Sequence, residues 1–226
     1  MGKTKDSVAI DGPAGAGKST AARLLSKELN YLYVDTGAMY RALTHKAICL
    51  GIDLHNESAL TLLADNTTIE MVLGEAGPKV MVDGREVSSY LRRPEVERAV
   101  SWVARVPGVR QRLVELQREI ARRQPVVMEG RDIGTCVLPD ARFKFFLTAS
   151  FEERCLRRWR ERRREDQGVT LEEVRREIEA RDRLDAERSV GPLSVPPDSI
   201  VIDTTRLGPE EVVTEMLRIV RGESGP

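Results

Sequence analysis

Aromatic residues make up only 4% of this 226-residue chain, so its core has to be built from Val, Leu, Ile and Ala, which the 41% hydrophobic content allows. Histidine occurs twice, at His45 and His55, and neither sits in a catalytic motif. The three cysteines, Cys49, Cys136 and Cys155, are odd in number, widely spaced and without a C-x-x-C pair. That excludes a disulfide framework and a zinc site, and it predicts reduced thiols in a cytosolic protein. No apolar run of the length of a signal h-region succeeds Met1–Asp6, so no secretory signal is expected, and Asp6 stands where a myristoylation signal needs Ser or Thr. No stretch approaches membrane-spanning length. The expectation is a cytoplasmic protein with no membrane partner. Formal net charge is zero, with 36 basic and 36 acidic residues, which argues against global steering toward nucleic acid. No Asn-Lys dipeptide occurs, so the guanine signature Asn-Lys-x-Asp of the switch GTPases is missing.

What the chain does have is arginine: 29 of its 36 basic residues, against seven lysines. Arginine suits bidentate phosphate contacts, although a compositional bias is expected to account for most of them. It also has one sharp motif. Gly12-Pro13-Ala14-Gly15-Ala16-Gly17-Lys18-Ser19 comes just after the apolar run Val8-Ala9-Ile10, which is G-x-x-x-x-G-K-[ST] in its strand-to-helix setting. Glycine backbones wrap an anion in conformations closed to other residues, and their N–H groups point at phosphate oxygens together with the start of the next helix. Residues 12–20, through Thr20, are therefore expected to bind a nucleoside triphosphate. Lys18 is expected to reach the β and γ phosphates and Ser19 to ligate Mg²⁺.

The rest of the chain alternates strand and helix at both ends. Strands are predicted at about 7–11, 31–34, 125–128, 143–147 and 199–203, with helices over 18–29, 38–50, 94–123 (broken near Pro107-Gly108), 151–165, 170–188 and 209–221. Between 67 and 90 the apolar period falls to two, as in a hairpin through Gly74-Glu75-Ala76-Gly77-Pro78 and then a turn at Asp83-Gly84. There is no internal repeat. Parallel strands feeding helices predict a three-layer, doubly wound α/β core of P-loop NTPase type. The predicted segments are core at 1–36, 104–150 and 190–226, interrupted by insertions at 37–103 and 151–189. Ligands bind such sheets outside the carboxyl ends of the strands. That rule singles out Asp35-Thr36-Gly37-Ala38-Met39-Tyr40-Arg41 and Glu129-Gly130-Arg131-Asp132-Ile133-Gly134. It draws attention also to Arg181-Asp182-Arg183-Leu184-Asp185-Ala186-Glu187-Arg188, which closes the second insertion.

In order and in spacing, the phosphate loop, Asp-Thr-Gly-Ala-Met-Tyr-Arg, Glu-Gly-Arg-Asp-Ile-Gly-Thr and Arg-Asp-x-x-Asp resemble the bacterial cytidylate kinases. The resemblance covers nearly the whole chain. It departs from the family at position 36, where Thr stands for the usual Ser and keeps the hydroxyl. It implies transfer of the γ-phosphoryl of ATP to CMP or dCMP, with the first insertion binding the nucleoside monophosphate (NMP) and the second forming a short helical lid. The acceptor is a phosphate oxygen that needs no base, so catalysis would be positioning and charge neutralisation. The resemblance assigns Arg41, Arg131 and Arg181 to the CMP phosphate. Ser101, Arg110 and Asp132 would read the base, Asp185 the ribose with Arg188 nearby, and Thr36 and Tyr40 would join the same site. Arg154, Arg157 and Arg158 would close on ATP and the transferred group, Arg158 counting with Lys18, Arg131 and Arg181 as catalytic. Asp132 would accept from the cytosine amino group, whereas uracil would oppose it with a carbonyl.

Six arginines crowd into residues 157–164. Read alone the run suggests a nucleic-acid patch, but Glu165, Asp166, Glu172, Glu173, Glu177 and Glu179 come after it, and a mobile lid with a solvated outer face fits better. A dual UMP/CMP kinase is the alternative for specificity, and a non-enzymatic P-loop RNA-binding protein is the weaker one. With no coiled-coil or apolar surface stripe, a monomer is expected.

Overall fold

A computed structural model describes residues 6–74, 77–164, 167–188 and 190–222. Glu75 and Ala76 of the predicted hairpin turn, and Glu165 and Asp166 of the compensating acids, lie outside the described residues. In chain order the elements begin with β1 (Ser7–Asp11), α1 (Lys18–Leu29), β2 (Leu32–Asp35), α2 (Thr36–Cys49) and α3 (Glu57–Asp65). Then come β3 (Ile69–Gly74), β4 (Gly77–Val82), β5 (Arg85–Glu86), α4 (Pro94–Val103) and α5 (Pro107–Arg123). The chain continues through β6 (Val126–Glu129), β7 (Phe143–Thr148), α6 (Phe151–Arg163), α7 (Leu171–Ala186), β8 (Ile200–Asp203) and α8 (Pro209–Arg221). Contacts divide the chain into two compact units, one of residues 1–33 and 124–226, the other Val34–Arg123.

The first unit is an α/β sheet in the order β2-β6-β1-β7-β8. β1 pairs in parallel with β6 and β7, and β7 with β8. All five residues of β1 are buried, as a central parallel strand covered on both faces requires. Val8, Ile10, Ala21, Ala22, Leu25, Val127, Phe145, Leu147, Val212 and Met216 belong to one core cluster, mainly aliphatic as the composition demands. The parallel register places Ile10 beside Glu129, so the carboxyl ends of β1 and β6 open together. The phosphate loop after β1 and the segment Gly130–Gly134 after β6 therefore emerge at one sheet edge.

The second unit holds α2–α5 and the antiparallel sheet β3-β4-β5. At the β4–β5 turn Asp83 (φ 49°) and Gly84 (φ 77°) both adopt positive φ, as a two-residue hairpin turn requires. Gly108 lets α5 approach α3 closely, because a Cβ there would lie 2.4 Å from the Thr61 side chain.

Three features depart from the sequence reading. α2 starts at Thr36 rather than 38, because the Asp35 carboxylate accepts from the Ala38 N–H at 2.8 Å and caps the helix directly from the strand end. α3, capped by Asn56 through the Ala59 N–H, is not predicted from the sequence; its nine residues carry too short a pattern. The sequence reading returns the chain to the core at 104, whereas the compact unit returns at 124, because α5 packs on α3 and α2.

Candidate active site

The loop after β1 is shaped by backbone conformations that only glycine tolerates. Gly12 has φ 144°, and a Cβ there would sit 2.0 Å from the Leu147 carbonyl oxygen. Gly15 (φ 78°) faces the Arg154 backbone in the same way, at 2.8 Å. Gly17 (φ 86°) leads into α1. Ala14 and Ala16 lie between these glycines, Ala16 buried and donating its N–H to the Pro13 carbonyl at 3.4 Å. Lys18 opens α1 and is buried, its ammonium donating to the Pro13 carbonyl at 2.8 Å. Burial and then the Arg131 charge lower its pKa from 10.5 to about 7, against the pull of Glu129 and Asp185. Such a lysine gains most when an anion arrives.

Ser19, on the first turn of α1, is exposed and Thr20 is half-buried. Among the described residues no group of three or more His, Cys, Asp or Glu could hold a metal ion. The Ser19 hydroxyl is a hard oxygen, the kind of donor that Mg²⁺ takes in small number beside water and phosphate oxygens.

Arg131 comes after β6 and donates Nε–H to the Asp185 carboxylate at 2.6 Å. Arg188 donates to the other oxygen of the same carboxylate. Asp185 is buried; Arg131, Arg188 and Arg181 hold its carboxyl below the usual range although burial opposes them. Arg181 and Asp185 are one helical turn apart on α7, so their side chains share a face. Both Arg181 and Asp185 also bear on the charge of Lys18. Within this unit the structure thus gathers Lys18, Arg131, Arg181, Asp185 and Arg188. Asp132 is buried next to Arg131.

Of the three lid arginines, Arg154 and Arg157 lie against the phosphate-loop side of the sheet. Arg154 donates to the Ala14 carbonyl at 3.1 Å and to Asp182 at 2.6 Å, and its buried Nε has no partner. Arg157 donates to Glu153 and twice to Thr204, through Oγ1 at 2.9 Å and the carbonyl at 2.6 Å. Arg158 pairs with Glu161 on its own helix at 3.2 Å.

The remaining predicted site residues belong to the second unit. Thr36 is the first, buried residue of α2. Arg41 donates to Asp35 at 2.7 Å, with Glu97 at 3.8 Å from its Nε. Arg110 is fully buried on α5, donates to the Ala104 carbonyl at 3.4 Å and lies 5.8 Å from the ring centre of Tyr40. Ser101 is half-buried on α4.

The sequence reading gives no role to several residues of these networks, although Asp35, Glu129 and Asp182 stand in the segments it singles out. Asp35, Asp182 and Thr204 are the partners of predicted arginines. Glu129 ends β6 buried and accepts from the Tyr33 hydroxyl at 2.6 Å. Asp11 ends β1 and accepts two backbone N–H groups. The signal for the last two was available: each is a carboxylate closing an otherwise apolar buried strand at the ligand end of the sheet.

The cytidylate kinase family model matches residues 8–222. A cytidylate kinase of Geobacillus kaustophilus is 48% identical over 99% of this chain and 100% of its own length. One from Pelotomaculum thermopropionicum is 53% identical over 91% of this chain and 92% of its own. Among solved structures, an uncharacterised protein from Eubacterium ventriosum shares the fold at a TM-score of 0.54 and 11% identity, covering 97% of this chain and 100% of that one.

Proposed function

The chain belongs to the cytidylate kinase family, and from that premise we propose how its own residues move the γ-phosphoryl of ATP onto CMP or dCMP. The family match favours this reaction over the dual UMP/CMP reading and over non-enzymatic RNA binding. The observation that carries the residue assignment is the gathering of Lys18, Arg131, Arg181, Asp185 and Arg188 in one unit.

ATP lies on the loop Gly12–Thr20, whose N–H groups and Lys18 hold its phosphates. Ser19 would hold Mg²⁺ together with the ATP phosphates, and the ion would supply charge neutralisation there. Arg131 and Arg181 take the CMP phosphate and keep it in line with the γ-phosphoryl, with Arg41 on the same phosphate. The attacking oxygen is already anionic, so no residue has to remove a proton. Arg131 and Arg188 are aligned by Asp185 before substrate arrives, which lowers the reorganisation needed at reaction. Asp185 and Arg188 also serve the ribose, while Asp132, Arg110, Ser101, Thr36 and Tyr40 serve the nucleoside. Arg154 braces the loop from α6 through the Ala14 carbonyl, and Arg157 and Arg158 close on ATP and the transferred group. No helix among the described residues is long and apolar enough to cross a membrane; in this proposal the enzyme works in the cytoplasm as a monomer on ATP and CMP or dCMP.

Initial rates for CMP, dCMP, UMP and AMP with Mg-ATP test the reading. CMP and dCMP are expected to lead by orders of magnitude in kcat/KM, since a buried mismatched donor–acceptor pair discriminates by up to roughly 10⁴–10⁵. Equal kcat/KM for UMP would overturn the base assignment.

A further inference from the structure

Asp11 is buried at the end of the central strand β1, immediately before the phosphate loop. Both of its carboxylate oxygens are used. Oδ1 accepts from the Ile133 N–H at 2.8 Å and Oδ2 from the Gly134 N–H at 2.7 Å. Those two residues open a π-helical turn, Ile133–Val137, that begins directly after Arg131 and Asp132. Asp132 occupies the N-cap position of this turn but its side chain makes no capping hydrogen bond to it. A helical turn normally has its first N–H groups satisfied by the residue at its own N-cap. Here the cap comes from the neighbouring strand, 122 residues before Ile133 in sequence. The turn is further tied by the Asp132 carbonyl, which accepts from the Cys136 and Val137 N–H groups at 2.8 and 3.1 Å.

We infer that Asp11 is a positioning residue: by capping the Ile133–Val137 turn it fixes Arg131 and Asp132 against the phosphate loop, and so sets acceptor affinity and base choice. The inference rests on the proposed acceptor-side roles of Arg131 and Asp132. One side chain reaches from the residue before Gly12 to the residue after Asp132, so the loop and the turn shift together or not at all. The packing leaves little slack. A Cβ at Gly134 would lie 3.3 Å from Asp11 Oδ2, 3.3 Å from Lys144 Cδ and 3.0 Å from Pro196 Cγ. Burial pushes the Asp11 carboxyl up to about 6 while the two N–H bonds draw it down; at neutral pH it is therefore the ionised, doubly accepting form that holds the turn.

Asp11→Asn keeps shape and removes one acceptor, setting an amide N–H₂ against one of the two backbone donors. Gly134→Ala disturbs the same contact from the turn side. With full-length enzyme, both are expected to raise KM for CMP by about tenfold or more and to lower the CMP:UMP ratio of kcat/KM, while KM for ATP moves less than about threefold, as for a small misplacement of one substrate's ligands. Equal movement of the two KM values, or none in either variant, overturns the inference; if Asp11→Asn does not fold, as judged by circular dichroism, Gly134→Ala alone decides. Asp132→Asn separates the two levels. If it leaves selectivity unchanged, the base reading fails, and the KM for CMP in the Asp11 variant still tests positioning through Arg131. If it erodes selectivity while Asp11→Asn moves neither KM nor selectivity, the positioning role alone fails.

Discussion

Within the α/β unit, the loop after β1 and the cluster after β6 are built from opposite materials. The loop is backbone: three glycines at positive φ, with Gly12 and Gly15 packed so tightly that a Cβ would strike a carbonyl oxygen, and a single buried ammonium. The cluster is side chain: Arg131 and Arg188 converging on one buried carboxylate, with Arg181 alongside. A backbone site tolerates no change of shape, whereas a paired-charge site tolerates small changes of shape and none of charge balance. The difference also has an energetic sign. Lys18 is held against its own charge until an anion binds, while the arginines carry their counter-ion with them.

Lys18 offers the widest separation between the two regions. Lys18→Met is expected to lower kcat by on the order of 10³ and to stabilise the ligand-free protein. The sign follows from the pKa, lowered in the fold from 10.5 to about 7. Between those values the unfolded chain binds the extra proton, so wild-type stability rises with pH across that window and lies at its low plateau below it. The variant lacks this dependence, and denaturant melts at pH 6, 7.5 and 9 compare the two. A wild type that loses stability between pH 7 and 9, relative to Lys18→Met, would contradict the assignment. Nucleotide binding at pH 7 should also take up protons, visible in calorimetry across buffers of different ionisation enthalpy.

Gly15→Ala tests the backbone half by shape alone. With φ 78° and the Arg154 carbonyl oxygen 2.8 Å from the added methyl, the loop must shift, and kcat/KM for ATP should fall by about 10², with affinity for CMP changed far less. The charge half is tested by Asp185→Ala, which leaves the half-buried Arg131 and Arg188 without their shared buried anion. Breaking a buried pair in this way costs roughly 3–5 kcal/mol of stability, and KM for CMP should rise by roughly tenfold to a hundredfold. Asp185→Asn should be intermediate, since it keeps shape and loses charge. Because the fold holds the Asp185 carboxyl below its ordinary value, its contribution is fully present above the unfolded carboxylate range and is lost as pH falls below it. Equal effects of Ala and Asn would point to packing rather than charge.

The two halves were also unequally legible in sequence. A backbone site leaves a fixed spelling, because each glycine answers a local steric demand; Gly12, Gly15 and Gly17 were readable for that reason. Arg131, Arg181 and Asp185 were named from family motifs at strand and insertion ends, and the structure brings them together. Their partners were not readable in the same way. Asp11 reaches Gly134 across a sequence separation of 123 residues, and Glu129 reaches back to Tyr33; pairings of this kind are set by sheet order, which no local pattern encodes. The parallel sheet followed from strand–helix alternation, yet α3 was missed and α5 was assigned to the core. A short amphipathic helix announces its face but not which neighbour that face will meet.

The arginine run on α6 extends the comparison to a single helix and carries the smallest expected effect. The inner arginines of the helix are engaged: Arg154, just before the run, with Ala14 and Asp182, and Arg157 with Thr204. Arg163, one turn beyond Trp159, instead lies over that indole at 4.8 Å, while the indole N–H donates to the Val169 carbonyl at 3.1 Å. Trp159 packs on the cluster of Cys155, Val169, Val174 and Ile178, so Arg163 covers the outside of the pair α6–α7. An exposed cation–π contact is worth about 0.5–1 kcal/mol. Arg163→Ala is therefore expected to leave kcat within about twofold and to cost less than about 1 kcal/mol of stability, whereas Arg157→Ala should weaken ATP handling clearly. The two variants assayed side by side decide where on α6 the nucleotide-facing surface ends. If Arg163→Ala reduced kcat as far as Arg157→Ala, the outer turns would have to reach the transferred group during the reaction, and the division of this helix into an engaged inner half and a solvated outer half would not hold.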